Sequence, residues 1–121
     1  MVKGLGTVIY RVTDLDQAKQ WYSAAFGRAP YFDQPFYVGF NVEGYELGLD
    51  PDRSGRHAGR GGSVAYWRVD EIGAAVQHFV GAGATVVTPI QDVGDSIKVA
   101  TVADPFGNTI GLIENPHFRL P

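Results

Sequence analysis

Residues 4–50 of this chain come back, in order, as residues 61–113. A shift of 57 places Gly4 on Gly61, Tyr10 on Trp67, Arg11 on Arg68 and Val12 on Val69. The same shift puts Leu15 on Ile72, Ala18 on Ala75, Gln20 on Gln77, Tyr22 on Phe79 and Ala25 on Ala82. Nearer the end the shift becomes 63, and Gly44, Leu47, Gly48 and Leu49 fall on Gly107, Ile110, Gly111 and Leu112. A chain that duplicates a segment of this size is built from two copies of one supersecondary unit, each with its own hydrophobic face to cover.

Each copy has one element order. TVIYRV (7–12) and VAYWRV (64–69) are rich in β-branched and aromatic residues and read as strands. After the first, Leu15, Ala18, Tyr22 and Ala25 recur at helical spacing; Thr13 or Asp14 can cap the start and Gly27 can close the end. In the second copy Ile72, Ala75 and Phe79 share a helical face. Trp21 and Tyr22 sit at core spacing, as core or dimer-interface packing. Three strands then follow each helix, around 30–34, 36–42 and 45–50, and around 84–90, 96–103 and 109–114, separated by turn residues at Gly44, Asp95 and Asp104 to Asn108. The fold class is therefore α+β, two tandem βαβββ modules. Module one spans 1–50, a glycine-rich polar linker 51–62, module two 63–115 and a tail 116–121.

Composition narrows the partners. The 121 residues carry a net charge of −3 with no run of Lys or Arg, which argues against nucleic acid and anionic membrane. There is no cysteine, hence no disulfide, thiolate ligand or thiol nucleophile. MVKGLGTVIYRV lacks the apolar core of a signal peptide, and no apolar run approaches the roughly 20 residues of a membrane span. A cytoplasmic location is expected.

Two stretches carry a family likeness. VTDLDQAKQWY resembles the strand-to-helix opening of the vicinal oxygen chelate superfamily, and DPFGNTIGLIE is similar to the hairpin before its last strand. That superfamily includes glyoxalase I, extradiol dioxygenases and bleomycin-binding proteins. The resemblance covers nearly the whole chain as a single domain, 1–121, and implies a cupped, barrel-like mixed sheet with the helices outside. It also implies a homodimer. It leaves function open, because one fold hosts isomerases, oxygenases and pure binders.

In the metal-dependent members, four inward side chains of the cup hold a divalent ion. Carried over residue by residue, those places fall on Thr7, Gly48, Val64 and Gly111, none of which is the His, Gln or Glu that the family would want. The three histidines, His57, His78 and His117, lie in the linker, a helix and the tail, and do not make up the donor set. The expectation is a site without metal or cofactor. A two-residue slip would bring Glu46 into the slot of Gly48, a single carboxylate without partners.

If those four places line the cup, strand alternation adds Ile9 and Arg11, Tyr66 and Arg68, Glu46 and Asp50, and Thr109 and Ile113. Gly48 and Gly111 have two readings: they leave room for an organic ligand, or they let the strand bend or an aromatic neighbour lie over it. Arg11 and Arg68 can grip an anion or pair with Glu46, Asp50 or another acid. Glu46 is the candidate general base, provided that an apolar cup desolvates it. Alternation sends Phe36 and Phe40 to one face and Tyr37 to the other, and Phe36 is expected among the aromatic walls. Arg53, Arg56, His57 and Arg60 in the linker can fold over an anion, and Phe118 and Leu120 can join a dimer interface. The leading expectation is metal-independent binding of a small apolar or aromatic molecule, as in sequestration or resistance. The alternatives are a divalent-metal glyoxalase- or dioxygenase-type enzyme, or a metal-free isomerase or lyase with Glu46 as base.

Overall fold

The computed structural model describes residues 7–51 and 64–117. The linker residues Arg53, Arg56, His57 and Arg60 and the tail residues Phe118 and Leu120 lie outside the described residues. The chain divides into two compact units, Met1–Gly59 and Arg60–Pro121.

The first unit runs β1 (Thr7–Val12), α1 (Leu15–Phe26), β2 (Phe32–Gln34), β3 (Tyr37–Val42), β4 (Tyr45–Pro51). Its sheet has the order β1-β4-β3-β2, with β1 parallel to β4 and the other pairs antiparallel. Asp14 caps α1, its Oδ1 accepting from the Gln17 amide at 3.0 Å. Gly27 ends the helix at φ 66°, the left-handed conformation that glycine adopts without strain. The helical spacing delivers Ala18, Tyr22 and Ala25 onto one face of the sheet, where Tyr10, Val12, Val38, Phe40, Leu47 and Leu49 are buried. Tyr22 stacks on Tyr10 at 5.8 Å, and half-buried Trp21 meets Tyr22 edge-on at 4.8 Å.

One turn sets the register of this sheet. Glu43 and Gly44, both at positive φ (52° and 92°), form the two-residue connection that matches strand twist. The Asn41 side chain braces it by accepting from the Gly44 amide at 2.8 Å. Val42 then faces Tyr45 and, counting back, Gly39 faces Gly48.

The second unit repeats the plan with β5 (Tyr66–Arg68), α2 (Ile72–Gly81), β6 (Thr85–Asp92), β7 (Lys98–Ala103) and β8 (Thr109–Glu114), in the order β5-β8-β7-β6. Ile72 and Phe79 of α2 cover Ala100, Val102, Ile110 and Leu112. Two carboxylates meet the positive end of α2. Glu71 accepts from the Gly73 and Ala74 amides at 2.9 and 2.6 Å, and Glu114 accepts from the Ile72 amide at 2.9 Å. Asp104, buried, organises the turn before β8. Its Oδ1 accepts from the Phe106 and Asn108 amides at 2.9 and 2.7 Å, and its Oδ2 from Asn108 Nδ2 at 2.9 Å.

Among the described residues, two helices and eight strands in two four-stranded mixed sheets confirm the α+β class and the tandem βαβββ plan. Each sheet is open, with β1 and β2 at the edges of one and β5 and β6 at the edges of the other, so neither closes into a barrel. No helix among the described residues is long and apolar enough to cross a membrane.

Candidate functional site

Side chains alternate along the strands, so each sheet has a face under its helix, where the large apolar side chains are buried, and a second, open face. In the first unit the open face carries Thr7, Ile9 and Arg11 from β1, Glu46, Gly48 and Asp50 from β4, and Tyr37 and Gly39 from β3. Thr7 pairs with Glu46 in register, Ile9 with Gly48, Arg11 with Asp50. Arg11 Nη1 and Asp50 Oδ2 lie 3.5 Å apart, so of the two uses foreseen for Arg11 the structure displays the ion pair.

Glycine opposes glycine at the centre of this face, Gly39 against Gly48. The space that both leave is filled by tyrosines. A Cβ built on Gly48 would overlap the Tyr37 hydroxyl, and one on Gly39 would lie 3.2 Å from the ring of Tyr31. Tyr31, just before β2, is held by its amide donating to the Gly39 carbonyl at 3.0 Å. The reading in which an aromatic neighbour lies over the mid-strand glycine is the arrangement seen.

Both phenols converge on Glu46. Tyr37 donates to its Oε1 at 3.0 Å, Tyr31 donates to its Oε2, and the Thr7 hydroxyl donates to its backbone carbonyl at 3.5 Å. The Tyr31 hydrogen bond foremost, then Thr7 and Tyr37, hold the Glu46 carboxyl below its ordinary range, against an opposing effect of burial. Conversely, the Tyr31 phenol is raised mainly by its bond to Glu46, and the Tyr37 phenol mainly by burial. Glu46 is thus a stabilised anion, a weaker base than a free carboxylate.

In the second unit the open face presents Tyr66 and Arg68 from β5, Thr109, Gly111 and Ile113 from β8, and Val99 and Thr101 from β7. Tyr66 covers Gly111: a Cβ there would come within 2.6 Å of Tyr66 Cδ2 and 2.8 Å of the Ala65 carbonyl oxygen. Val64 precedes β5, which begins only at Tyr66, and is half-buried. Arg68 is exposed.

Of the sequence-derived candidates, Thr7, Arg11, Glu46, Gly48 and Asp50 share one open face, and Tyr66, Arg68, Thr109 and Gly111 share the other. Phe36 does not follow the alternation expected of it. Pro35 and Phe36 form the turn between β2 and β3, with Gln34 paired to Tyr37, so Phe36 stands 59% exposed with its ring 6.0 Å from Phe32. The aromatic side chains that reach the open face are Tyr31 and Tyr37. Alternation separated Tyr37 from Phe40 without assigning either to the open face, although the two-residue turn at Gly44 contains the signal: equal counting from it puts 37 and 39 on the face of 46 and 48.

The family's divalent ion does not suit these residues. Thr7 and Gly48 in the first unit, and Val64 and Gly111 in the second, supply no imidazole or carboxylate, and Glu46 is a single carboxylate. Among the described residues no three His, Cys, Asp or Glu side chains gather where they could hold a metal.

The sequence matches the Glyoxalase/Bleomycin resistance protein/Dioxygenase superfamily over residues 4–112. The chain belongs to that superfamily. Solved structures similar to this superfamily member include a glyoxalase-related enzyme from Fulvimarina pelagi, 19% identical, covering 99% of this chain and 94% of that one at a TM-score of 0.80. A glyoxalase/bleomycin resistance protein from Albidiferax ferrireducens T118 is 22% identical over 93% and 98% of the two chains, at 0.76. A superfamily member from Sphaerobacter thermophilus DSM 20745 is 19% identical over 94% and 98%, at 0.77. At such identities the likeness establishes the glyoxalase-type fold and leaves the chemistry to the site. No curated protein matches the sequence.

Proposed function

We propose that this superfamily member binds a small apolar or aromatic molecule without a metal, on the open sheet face that carries Tyr31, Tyr37 and Glu46. The observation that carries this reading is the composition of that face. Exposed Tyr31 (63%) and Ile9 (41%) flank two facing glycines, which is apolar surface that a folded sheet would otherwise cover. The glutamate among them is stabilised as an anion, which supports recognition over proton transfer.

A melting-temperature screen against planar aromatic compounds tests it, run with and without a chelator. A ligand at about one hundred times its Kd adds about 2.7 kcal/mol of stability. For a chain of this size that raises Tm by several degrees, by roughly 4 °C per kcal/mol at the low end. The expected result is a rise that the chelator leaves unchanged. A rise that vanishes with chelator and returns with Ni, Zn, Fe or Mn ions would overturn the proposal in favour of a metal-dependent enzyme.

A further inference from the structure

Among the described residues of the first unit three carboxylates have no ion pair, and of these Asp14 and Asp16 are exposed while Glu46 is half-buried. The described cations of this unit are Arg11, Lys19 and Arg28. Arg11 lies 3.5 Å from Asp50, Lys19 lies 3.1 Å from Asp33, and Arg28 lies 3.6 Å from Glu43 while donating to the Asn41 carbonyl at 3.0 Å. The Glu46 carboxylate is held by the Tyr31, Tyr37 and Thr7 hydroxyls, and no cation among the described residues pairs with it. Phenols hold a carboxylate in place and favour its ionised form, but they do not neutralise it. A carboxylate has about four acceptor positions, and three hydroxyls leave one available.

What surrounds this anion is equally specific. The ring of Tyr31 is 63% exposed, Tyr37 stands over Gly48, and the side chain of Ile9 is 41% exposed on the neighbouring strand. A fixed carboxylate bordered by phenol rings and an aliphatic wall suits a ligand that carries a positive charge on an apolar body. An ammonium or protonated ring nitrogen can face the carboxylate while its C–H groups lie against the tyrosine faces. A neutral ligand gains only the apolar part, and an anionic ligand is repelled by Glu46.

We infer that the open face of the first sheet selects organic cations, an amine or protonated aromatic base on a small apolar body, with Glu46 as the anionic anchor and Tyr31 and Tyr37 as its walls. This inference rests on the binding function proposed above and names the charge of the ligand. Three probes of one shape and different charge test it: naphthylmethylammonium, naphthylmethanol and naphthoate, titrated calorimetrically into the intact protein.

The ammonium probe is expected to bind about tenfold tighter than the alcohol, the effect of one cation–π and carboxylate contact at a partly exposed site, and naphthoate weakest. Glu46→Gln, checked for native circular dichroism, is expected to bring the three affinities within about threefold of each other. The unmutated protein supplies a second check. Added salt should weaken the ammonium probe and leave the alcohol unaffected, because only the charged contact is screened. Equal or tighter binding of the alcohol, unaffected by Glu46→Gln, overturns cation selection and leaves the binding function standing. Silence of all three probes overturns both.

Discussion

Gly48 and Gly111 occupy equivalent places in the repeat, yet the tyrosine above each comes from a different neighbour. Tyr37 reaches Gly48 from β3, whereas Tyr66 reaches Gly111 from β5 and is joined there by the Ala65 carbonyl. The two positions should therefore respond differently to a methyl group. Gly48→Ala displaces a side chain that can swing outward, at a cost of about 1 kcal/mol. Gly111→Ala meets backbone as well, because the Ala65 carbonyl accepts from the Gly111 amide at 2.9 Å and cannot retreat without losing that bond. A cost of about 3 kcal/mol is expected. Urea unfolding of the single mutants, and of Gly48→Ala with Tyr37→Ala and Gly111→Ala with Tyr66→Ala, separates the two cases. Deleting the tyrosine should recover nearly all of the cost of the methyl group in the first pair and only part of it in the second, and full recovery in both would contradict the backbone explanation.

Glu46 and its phenols make a second prediction at the level of single groups. A carboxyl held below its ordinary range stabilises the fold above that range and loses the contribution as pH falls through the lowered value. The raised phenols work in the other direction: their contribution is complete below about pH 10 and disappears as pH rises through their folded values. In Glu46→Gln the ultraviolet tyrosinate titration should lose part of its late-titrating component. An unchanged titration would mean that the hydrogen bonds to Glu46 do not govern these phenols. The sequence offered both readings of the mid-strand glycines and could not choose between them. The choice depends on cross-strand register and on where an aromatic ring points, neither of which a single strand encodes.

Helices and hairpins were more legible than side-chain contacts, because caps and turns are local. Asp14, Gly27, Gly44 and the Asp104-to-Asn108 stretch all act within a few residues of themselves, and all were readable as punctuation. What escaped was non-local. Glu71 and Glu114 share the N-terminus of α2 although they lie 43 positions apart, and β6 is irregular between Val86 and Gln91, where Pro89 marks a break in pairing but not the register that follows it. The strength of the local signal at Asp104 is itself testable. Replacing this buried carboxylate by alanine leaves two amides and the Asn108 side chain without their acceptor. Asp104→Ala is expected to destabilise the protein by about 3 kcal/mol, measured by urea unfolding, from several buried donors each deprived of an acceptor. Asp14→Ala, which removes one cap hydrogen bond at an exposed helix end, should cost about 1 kcal/mol. Reversal of that order would show that the β7–β8 turn is not held by Asp104.

At the scale of the molecule, duplication has preserved the backbone plan and let the open faces diverge. Strand order, parallel and antiparallel pairing, and the glycine in the turn before the last strand agree between the units. The side chains on the open faces do not. Where β4 carries Glu46 and Asp50, the equivalent places of β8 hold Thr109 and Ile113, and where β3 carries Tyr37 over its glycine, β7 offers Val99. One face thus bears an anion bordered by phenols, and the other bears no carboxylate on these strands. The shared fold was legible because the hydrophobic pattern under the helices repeats; the difference in chemistry was not, because it depends on which side chains a register brings together. If charge recognition belongs to Glu46, it should leave its mark on one unit only. Amide resonances compared between the ammonium and the alcohol probe should differ in β1, β3 and β4, with β5, β7 and β8 responding alike to both. Charge-dependent changes spread equally over both sheets would place recognition outside the Glu46 face, because the second open face carries Arg68, which repels an ammonium, and no carboxylate on these strands to attract one.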